Sequence, residues 1–274
     1  MRGVTDPFRL HLKILIRFSF LSEAGFRNSR AGIASVRDML YDPARLERRF
    51  AMFEALTLPS LMEQTSQDMD VIILTGETLP KAARAHLEQI ISPLPRARVV
   101  ALPVSDMFPA IKSAFASVPS PEGTTHVATM RMDDDDAMNV ETIANTHRLA
   151  PMIASATGGE PFVISYQSGV VAKLGGRQPE LRYASLRNPP GTGPVLVAPL
   201  TYPGNVYRRN HRALAQFYPV FSDATPRMFL RTIHQDNDSD PVEPGKTKVL
   251  GEQRAATVLK TCFGIDPESL AALG

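Results

Sequence analysis

Residues 126–136 have the sequence His-Val-Ala-Thr-Met-Arg-Met-Asp-Asp-Asp-Asp, in which a mostly apolar segment ends in four consecutive aspartates. Carboxylates this close together repel one another, and each favours taking up a proton over staying charged beside another anion. A hard divalent cation such as Mg2+, Mn2+ or Ca2+ removes that repulsion, because it prefers carboxylate oxygens as ligands. A run of like charges is more often a solvated loop. This run follows a predicted buried strand near the middle of the chain, which favours a cation site.

Four short apolar segments, partly β-branched, predict β-strands. They cover residues 14–18, 71–74, 98–102 and 127–132. Apolar residues at helical spacing predict a helix that begins at Asp42-Pro43, carries Arg45 and Arg49 on its wet face and restarts at Thr57. Further predicted helices cover residues 80–91, 107–118 and 137–154. The alternation indicates an α/β fold, with a single Rossmann-like, mostly parallel sheet flanked by helices.

The carboxyl ends of parallel strands meet at one edge of a sheet, and binding sites in such sheets lie beyond that edge. The prediction places three segments there. They are Phe18-Ser19 after the first strand, Thr75-Gly76 after the second and Asp133 to Asp136 after the fourth. We therefore expect these segments to border one crevice that forms a binding site.

The pattern changes after Pro161. Strands are predicted at residues 162–166, 170–174 and 195–198, a loop rich in Pro and Gly at 188–194, and a helix at 208–217. Residues 234–248 are polar and rich in Pro, which predicts an irregular segment. Because no repeat and no clearly polar linker divides the chain, we expect one domain over residues 1–274 with an elaborated second half.

Composition limits the classes of function. The 274 residues are 43% hydrophobic and 21% charged, as is ordinary for a soluble globular protein. The net charge is only +2, without a Lys/Arg block with interleaved aromatics, so we expect no nucleic-acid partner. The single cysteine, Cys262, excludes an intrachain disulfide and indicates a reducing compartment.

The N-terminal segment does not have the pattern of a signal peptide. Residues 10–21 are apolar on average, but His11, Lys13 and Arg17 interrupt them. There is also no uncharged run of about 18 residues or more, so we expect no membrane span. A cytoplasmic location is the simplest expectation, and transient contact with a membrane surface stays open.

Other sites for an aspartate run fit this sequence less well. An EF-hand loop needs glycine at its sixth position and glutamate at its twelfth, but a loop that starts at Asp133 has Met138 and Ala144 there. The register that starts one residue later also fails. Zinc is not expected, because the chain lacks a cysteine pair and an HExxH motif. A phosphatase with an aspartate nucleophile stays a weaker alternative, since its motif normally follows the first strand.

The remaining interpretation is a site for a sugar nucleotide. The diphosphate of such a donor is negatively charged, and bound Mg2+ or Mn2+ would neutralise it as the glycosidic bond breaks. Two spaced carboxylates suit this chemistry, because one can hold the metal while the other orients the ribose. The sequence has no Walker loop or GxGxxG element to cradle phosphates instead.

With these motifs in this order, the chain resembles the inverting glycosyltransferases of the A fold. In that group a helix with a motif similar to LPSLMEQT (residues 58–65) precedes a strand, and a later strand ends in a DxD motif, as residues 131–136 do here. More narrowly, Arg17-Phe18, residues 57–65 and the late segment IHQDNDS (residues 233–239) resemble the putative rhamnosyltransferase family. The resemblance covers roughly residues 12–240 and implies the glycosyltransferase A fold.

The resemblance implies a role for each matching residue. Asp133 would contact the ribose of the nucleotide, and Asp135 would bind a Mn2+ or Mg2+ ion. Asp133 and the late histidine His234 would complete the metal or diphosphate contacts, and His234 could equally be a histidine of a surface loop. Asp136 would support one of these contacts or the incoming sugar.

Three residues would lie near the base of the nucleotide: Arg17, Phe18 and Thr75. Asp134 is expected to point away from Asp133 and Asp135, because neighbours on an extended chain alternate faces.

An inverting transferase also needs a base that takes the proton of the acceptor hydroxyl. Asp223 lies where similar enzymes carry that acid. The usual Glu-Asp pair of the family is not intact here, and a helix N-cap is an equally plain role for Asp223. His211 could face an acceptor on the strength of its position alone.

The expected function is therefore a metal-dependent glycosyltransferase. It would move a sugar, with rhamnose suggested only by the family label, from a nucleotide-sugar donor to a glycan or lipid-linked acceptor, with inversion. Residues 12–155 would form the nucleotide-sugar-binding half and residues 156–274 the acceptor side. A noncatalytic nucleotide- or carbohydrate-binding protein on the same scaffold is the main alternative, and an aspartate-based phosphatase is another.

Overall fold

The structure is a computed structural model that describes residues 7–23, 32–176, 178–186, 190–237 and 248–273. Strands and helices alternate along most of this part of the chain. The strands are β1 Leu10–Arg17, β2 Asp70–Gly76, β3 Ala97–Leu102, β4 His126–Asp133, β5 Ala137–Met138, β6 Phe162–Tyr166, β7 Ser168–Lys173, β8 Glu180–Ser185, β9 Val195–Pro199, β10 Val220–Asp223 and β11 Phe229–Ile233. The α-helices are α1 Ile33–Leu40, α2 Pro43–Met52, α3 Leu58–Met62, α4 Lys81–Ile91, α5 Met107–Ala116, α6 Thr142–Ala156, α7 Glu252–Phe263 and α8 Pro267–Ala271.

The larger sheet has seven strands in the order β10-β6-β9-β4-β1-β2-β3. Pairing is parallel between β4, β1, β2 and β3 and between β10 and β6, whereas β9 is antiparallel to both of its neighbours. Strand β2 is buried along its whole length, as expected for a strand that is covered on both faces. The predicted mostly parallel sheet flanked by helices is confirmed, together with its first four strands.

Alternate residues of the central strand serve the two faces of this sheet. Ile14 and Ile16 of β1 pack in one cluster with Phe50 and Phe53. Leu15 faces the other way and belongs to a cluster that includes residues of α5. The apolar runs in the sequence therefore become a core on both sides of the sheet, with the strand ends free to carry polar groups.

The smaller sheet has four strands in the order β5-β11-β7-β8. It corrects the prediction of a helix over residues 137–154, because Ala137–Met138 pairs antiparallel with β11 and the helix begins only at Thr142. A strand of two residues has no periodicity that a sequence pattern could show. The predicted strands after Pro161 are present, but β6 lies in the large sheet and β7 in the small one.

The predicted helix over residues 208–217 is also wrong. Two short 3₁₀ turns, Val206–Arg208 and His211–Gln216, occupy this segment, and the side chains of Asn205 and Asn210 cap them. Arg209 between them is extended, which ends helical hydrogen bonding. Of the predicted loop at 188–194, residues 190–194 form no regular element, whereas residues 188 and 189 lie outside the described residues. Of the predicted irregular segment at 234–248, residues 238–247 lie outside them too.

Helices α2 and α3 are joined by a π-helical segment, Phe53–Thr57, into one continuous helical rod. The Asp42 side chain accepts a hydrogen bond from the Arg45 backbone N–H at 2.8 Å and so caps the beginning of the rod. The predicted restart at Thr57 is therefore a change of helix type rather than a break. In the π-helical turn, the backbone N–H of Leu58 donates to the carbonyl of Phe53, five residues earlier.

None of the described helices is both long and apolar enough to cross a bilayer.

Candidate functional site

A crevice of about 290 Å³ lies at the carboxyl edge of β1 and β4. The four aspartates line it, as the sequence predicts, together with Ser19, His211, Gly191 and Asn237. Six arginines line it as well: Arg17, Arg45, Arg49, Arg131, Arg212 and Arg231. The site therefore carries many charges of both signs. Ion pairs with the arginines determine which carboxylates are available to a ligand.

The aspartates form a turn rather than an extended strand. The backbone N–H of Asp136 points back to the carbonyl of Asp133 at 3.4 Å. As a result, Asp134 and Asp135 lie on the same side and both pair with Arg49, whose Nη1 is 3.0 Å from Oδ2 of Asp135. The expectation that Asp134 points away is wrong, since alternation of faces holds only for an extended chain.

Arg45 and Arg49 are buried, at 9% and 8% exposure, although the helical pattern predicts both on the wet face of α2. Arg49 turns toward the aspartates, and Arg45 donates to the hydroxyl of Ser19 and the carbonyl of Leu40. Helical periodicity cannot show this, because the acidic turn that attracts Arg49 lies 85 residues further along the chain.

Asp133 pairs with Arg17 across two neighbouring strands. Arg17 and Asp133 are register partners at the ends of β1 and β4, and Nη2 of Arg17 donates to Oδ1 of Asp133 at 3.0 Å. Burial raises the pKa of Asp133, but the positive charges of Arg17 and Arg131 outweigh it and the net shift is downward. Asp133 is therefore an anion at neutral pH.

Asp135 lies where α2 and the segment after β11 meet. Its Oδ2 accepts from Arg49 and lies 2.8 Å from Nε2 of His234, and Nδ2 of Asn237 is 3.5 Å away. Burial raises the pKa of Asp135, but Arg49 and His234 lower it further than burial raises it. Asp135 is therefore an anion at neutral pH.

Asp136 differs from its neighbours because no arginine pairs with it among the described residues. Its carboxylate accepts from the backbone N–H of Thr232 at 2.9 Å and from the hydroxyl of Thr192. Burial, together with the negative charges of Asp135 and Asp133, raises the pKa of Asp136 well above its ordinary value. Asp136 therefore connects β4 to β11 and the 190–194 segment and is less suited than Asp135 to bind a cation.

Asp135 and His234 together could hold a divalent cation. Their facing atoms are 2.8 Å apart, close to the separation of neighbouring ligands on an ion with bonds of about 2.1 Å. Among the described residues, no group of three His, Cys, Asp or Glu side chains is arranged to hold a metal. The remaining ligands would come from substrate phosphates and water, as is usual for Mg2+. The donor set fits an ion that is shared with a diphosphate.

The tautomer of His234 places a condition on this fit. Nδ1 of His234 accepts from the backbone N–H of Asp236 at 3.2 Å, so the neutral ring carries its proton on Nε2 and donates to Asp135. An ion at Nε2 needs the other tautomer. The turn at residues 234–236 must then shift enough to release the Asp236 N–H. Arg48, which holds Asp236 at 2.7 Å, anchors this turn to α2.

Three predicted site residues lie elsewhere. Phe18 is fully buried against Phe50 and Phe53, and Thr75 is fully buried at the end of β2, so neither side chain reaches the crevice. Asp223 ends β10 and accepts from the backbone N–H of Thr225, so it caps a turn and not a helix.

Strand β10 lies three strands from β4, or about 14 Å at the usual strand spacing. Asp223 is therefore at the same sheet edge as the aspartates but outside the crevice. Asp238 and Ser239 of the late motif lie outside the described residues.

Of the six crevice arginines, only Arg17 is predicted from the sequence as a site residue, and the prediction gives His211 too little weight. Arg131 precedes Asp133 by two positions on β4, so the period of a strand already places both on one face. Its guanidinium lies over the ring of Tyr207, 5.0 Å from the centroid, and the Tyr207 hydroxyl donates to the carbonyl of Leu15. Burial and the charge of Arg131 lower the pKa of His211 to about 4, so this imidazole is neutral.

Comparison with solved structures finds weak likeness to glycosyltransferases. S. aureus TarS residues 1–349 in complex with UDP-GlcNAc gives a TM-score of 0.42 at 13% identity, and the match covers 84% of this chain and 61% of that one. Mouse xyloside xylosyltransferase 1 gives 0.28 at 12% identity, with 59% and 53% covered. The chain thus spans about three fifths of the TarS chain.

No curated protein matches the sequence. A sequence family does, and the match takes in most of β1, the helical rod, the aspartate turn and His234. It covers residues 12–246 of the 274 and is described as "Putative rhamnosyl transferase". The chain belongs to this putative rhamnosyl transferase family.

Proposed function

We propose that the protein is a glycosyltransferase that moves a sugar from a nucleotide-sugar donor to a glycan or lipid-linked acceptor, with Mn2+ or Mg2+ bound and with inversion. The observation that carries the proposal is the convergence of Asp133 and Asp135 in one arginine-lined crevice at the carboxyl edge of a parallel sheet, with Nε2 of His234 2.8 Å from Asp135. Family membership supports it and makes rhamnose the first sugar to test.

Asp133 and Arg17 would bind the nucleotide. The anionic carboxylate of Asp133 can accept hydrogen bonds from ribose hydroxyls, and Arg17 beside it offsets part of its charge. Both are fixed by the β1–β4 register rather than by a loop, so the nucleotide would meet a preorganised pair.

Asp135 and His234 would hold the cation next to the diphosphate. The lowered pKa of Asp135 keeps this ligand deprotonated at neutral pH. When bound, the ion supplies electrostatic stabilisation of the negative charge that develops on the leaving diphosphate. Arg49 holds the Asp135 carboxylate in place from the other side.

In the transfer step, the acceptor hydroxyl oxygen forms a bond to the anomeric carbon while the bond from that carbon to the diphosphate oxygen breaks. The electron pair of the broken bond leaves with the diphosphate, and the hydroxyl proton goes to a carboxylate, for which we propose Asp223. A single displacement of this kind inverts the anomeric centre. For one hydroxyl oxygen to reach both Asp223 and the anomeric carbon, the donor sugar must extend from the diphosphate along the sheet edge toward β10.

Thermal-shift assays and calorimetry with a panel of nucleoside diphosphates, with and without Mn2+, test the proposal. We expect stabilisation that requires both Mn2+ and a nucleotide, and we expect Asp135→Asn to abolish it. Asp38→Asn is the matched control, because it makes the same change on a carboxylate at the protein surface. Equal Mn2+-dependent binding by Asp135→Asn and the unchanged protein would reject the site.

A noncatalytic nucleotide- or carbohydrate-binding protein is the second candidate. The position of Asp223 outside the crevice favours it, because a base must lie within hydrogen-bond reach of the acceptor hydroxyl. Release of free sugar from nucleotide-sugar donors in the presence of Mn2+ separates the two functions. A transferase hydrolyses its donor slowly when no acceptor is present, whereas a binding protein releases none.

A further inference from the structure

Three crevice arginines form no ion pair with any carboxylate of the described residues. Arg17 and Arg49 pair with Asp133, Asp134 and Asp135. Within the described ranges, by contrast, no carboxylate lies within 4.0 Å of the guanidinium nitrogens of Arg131, Arg212 or Arg231. Arg131 acts on Asp133 through its charge, but Asp133 is already paired with Arg17, so the acidic turn leaves an excess of positive charge at these three residues.

These three residues come from separate elements and converge on His211. Arg131 is on β4, Arg212 follows His211 in a 3₁₀ turn, and Arg231 is on β11. Nη1 of Arg131 is 3.5 Å from Nδ1 of His211. Burial is the largest cause of the lowered pKa of His211, and all three positive charges lower it further. Their convergence is thus a property of the fold rather than of one flexible segment.

Space for a ligand group lies beside Gly191. A methyl group on this residue would come within 3.7 Å of Oδ2 of Asp133 and within 4.0 Å of Nη2 of Arg131 and Cε1 of His211. Nε of Arg131 is buried without a hydrogen-bond partner among the described residues. The guanidinium plane is held in place by the ring of Tyr207. A fixed, planar donor group of this kind suits the paired oxygens of a phosphate or a carboxylate.

A sugar-nucleotide donor does not account for these charges. Its diphosphate carries two negative charges, and the divalent ion proposed at Asp135 and His234 would balance them. The excess positive charge of Arg131, Arg212 and Arg231 would then stay in the crevice, where an anionic group of a second ligand would balance it.

We infer that the acceptor is anionic and that its phosphate or carboxylate group binds to Arg131, Arg212 and Arg231 beside His211. The inference rests on the proposed function, because it takes the donor diphosphate to lie at Asp135 and His234 and leaves the three arginines to the acceptor. The neutral imidazole of His211 can donate a further hydrogen bond to the same group.

Calorimetric titration with inorganic phosphate and with glucose 6-phosphate, against glucose as the uncharged control, tests the inference. We expect both phosphates to bind and glucose not to bind. Arg212→Gln should weaken phosphate binding about ten-fold or more, as loss of a charge-assisted hydrogen bond does. Arg212 is exposed, so the substitution should leave folding intact. Arg208→Gln, an exposed arginine in the preceding turn, is the matched control and should bind phosphate normally.

A second titration separates the acceptor from the donor. With a nucleoside diphosphate and Mn2+ already bound, phosphate should still bind, and Arg212→Gln should bind the nucleotide normally. Displacement of phosphate by the nucleotide would overturn the inference and leave the proposed function standing. Absence of phosphate binding would overturn it as well. Phosphate binding by a protein that binds no nucleotide would reject the proposed function, and the acceptor assignment with it.

Discussion

Nε2 of His234 lies 2.8 Å from Oδ2 of Asp135, although 99 residues separate the two in the chain. Strand β11 brings the histidine there, because its Thr232 hydroxyl donates to the carbonyl of Asp135 and its Thr232 N–H donates to Asp136. The late part of the chain is thus bonded directly to the acidic turn, and it completes the site that the first half begins.

His234→Ala should lower Mn2+-dependent nucleotide affinity by about ten-fold or more, because the proposed metal ion would lose one of its two protein ligands. Calorimetry with and without Mn2+ measures the effect. His86→Ala is the control, since His86 is an exposed histidine that also pairs with an acid, Glu54. If His234→Ala and His86→Ala bind alike, His234 is not a metal ligand.

Arg49→Ala should destabilise the fold by about 3–5 kcal/mol, because it leaves the buried carboxylates of Asp134 and Asp135 without their cation. Urea unfolding followed by circular dichroism gives the free energy. Arg84→Ala breaks an exposed pair with Glu88 and should cost less than about 1 kcal/mol. Adding Asp134→Asn to Arg49→Ala should recover part of the loss. A loss for Arg49→Ala as small as that for Arg84→Ala would contradict this account.

Asp136→Asn should change stability little at neutral pH compared with Asp135→Asn. The pKa of Asp136 is raised, so its contribution is present below pH 3.8 and is lost as the pH rises through the folded-state value. Relative to the unchanged protein, Asp136→Asn should therefore gain stability as the pH rises above 3.8. Urea unfolding of both proteins across this range tests the sign, and a constant difference would show that the pKa of Asp136 is not raised.

The pKa of His211 should be about 4, as measured by NMR of the imidazole nitrogens. A lowered folded-state pKa means that the unfolded chain takes up a proton below pH 6.5 while the folded chain does not. The stability contribution of His211 is therefore present above pH 6.5 and is lost as the pH falls toward 4. His211→Gln should flatten the decline in stability over this window. Parallel declines in the variant and the unchanged protein would count against the buried, arginine-flanked imidazole.

Asp223→Asn should slow sugar transfer by about 10²- to 10⁴-fold, the usual effect of removing a general base. Nucleotide binding should not change, because Asp223 lies outside the crevice. Steady-state transfer and calorimetric nucleotide titration together measure the two properties. A variant that transfers sugar at the normal rate would show that the proton goes elsewhere, and Asp38→Asn reports any general effect of removing a carboxylate.

Strands β1, β2 and β4 are predictable because each is an apolar run whose character does not depend on its neighbours. The aspartate turn follows from the same logic, as a polar group at the end of such a run. Strand β5 is not predictable, because two residues carry no period and β11 alone holds them in place.

The arginines of the crevice show the same limit. Helical spacing predicts which face of α2 carries Arg49. It does not show that the distant Asp134 draws the side chain inward. The position of Asp133 on β4 would have pointed to Arg131, two residues earlier. Nothing in the local sequence predicts that Arg212 and Arg231 lie near Arg131, because the three residues belong to separate elements that meet only in the folded chain.

The π-helical turn of the rod sets the rotational phase between its two halves. Arg49, before this turn, bonds to Asp134 and Asp135, and Thr57, at its end, donates to the carbonyl of Asp136. At 3.6 residues per turn, eight residues amount to ~2.2 turns, and the wider π turn brings that span closer to two. The one residue added by the π turn thus lets Arg49 and Thr57 face the acidic turn together, so that they contact three consecutive aspartates. Deleting Glu54 should restore an ordinary helix and rotate one contact away from the other.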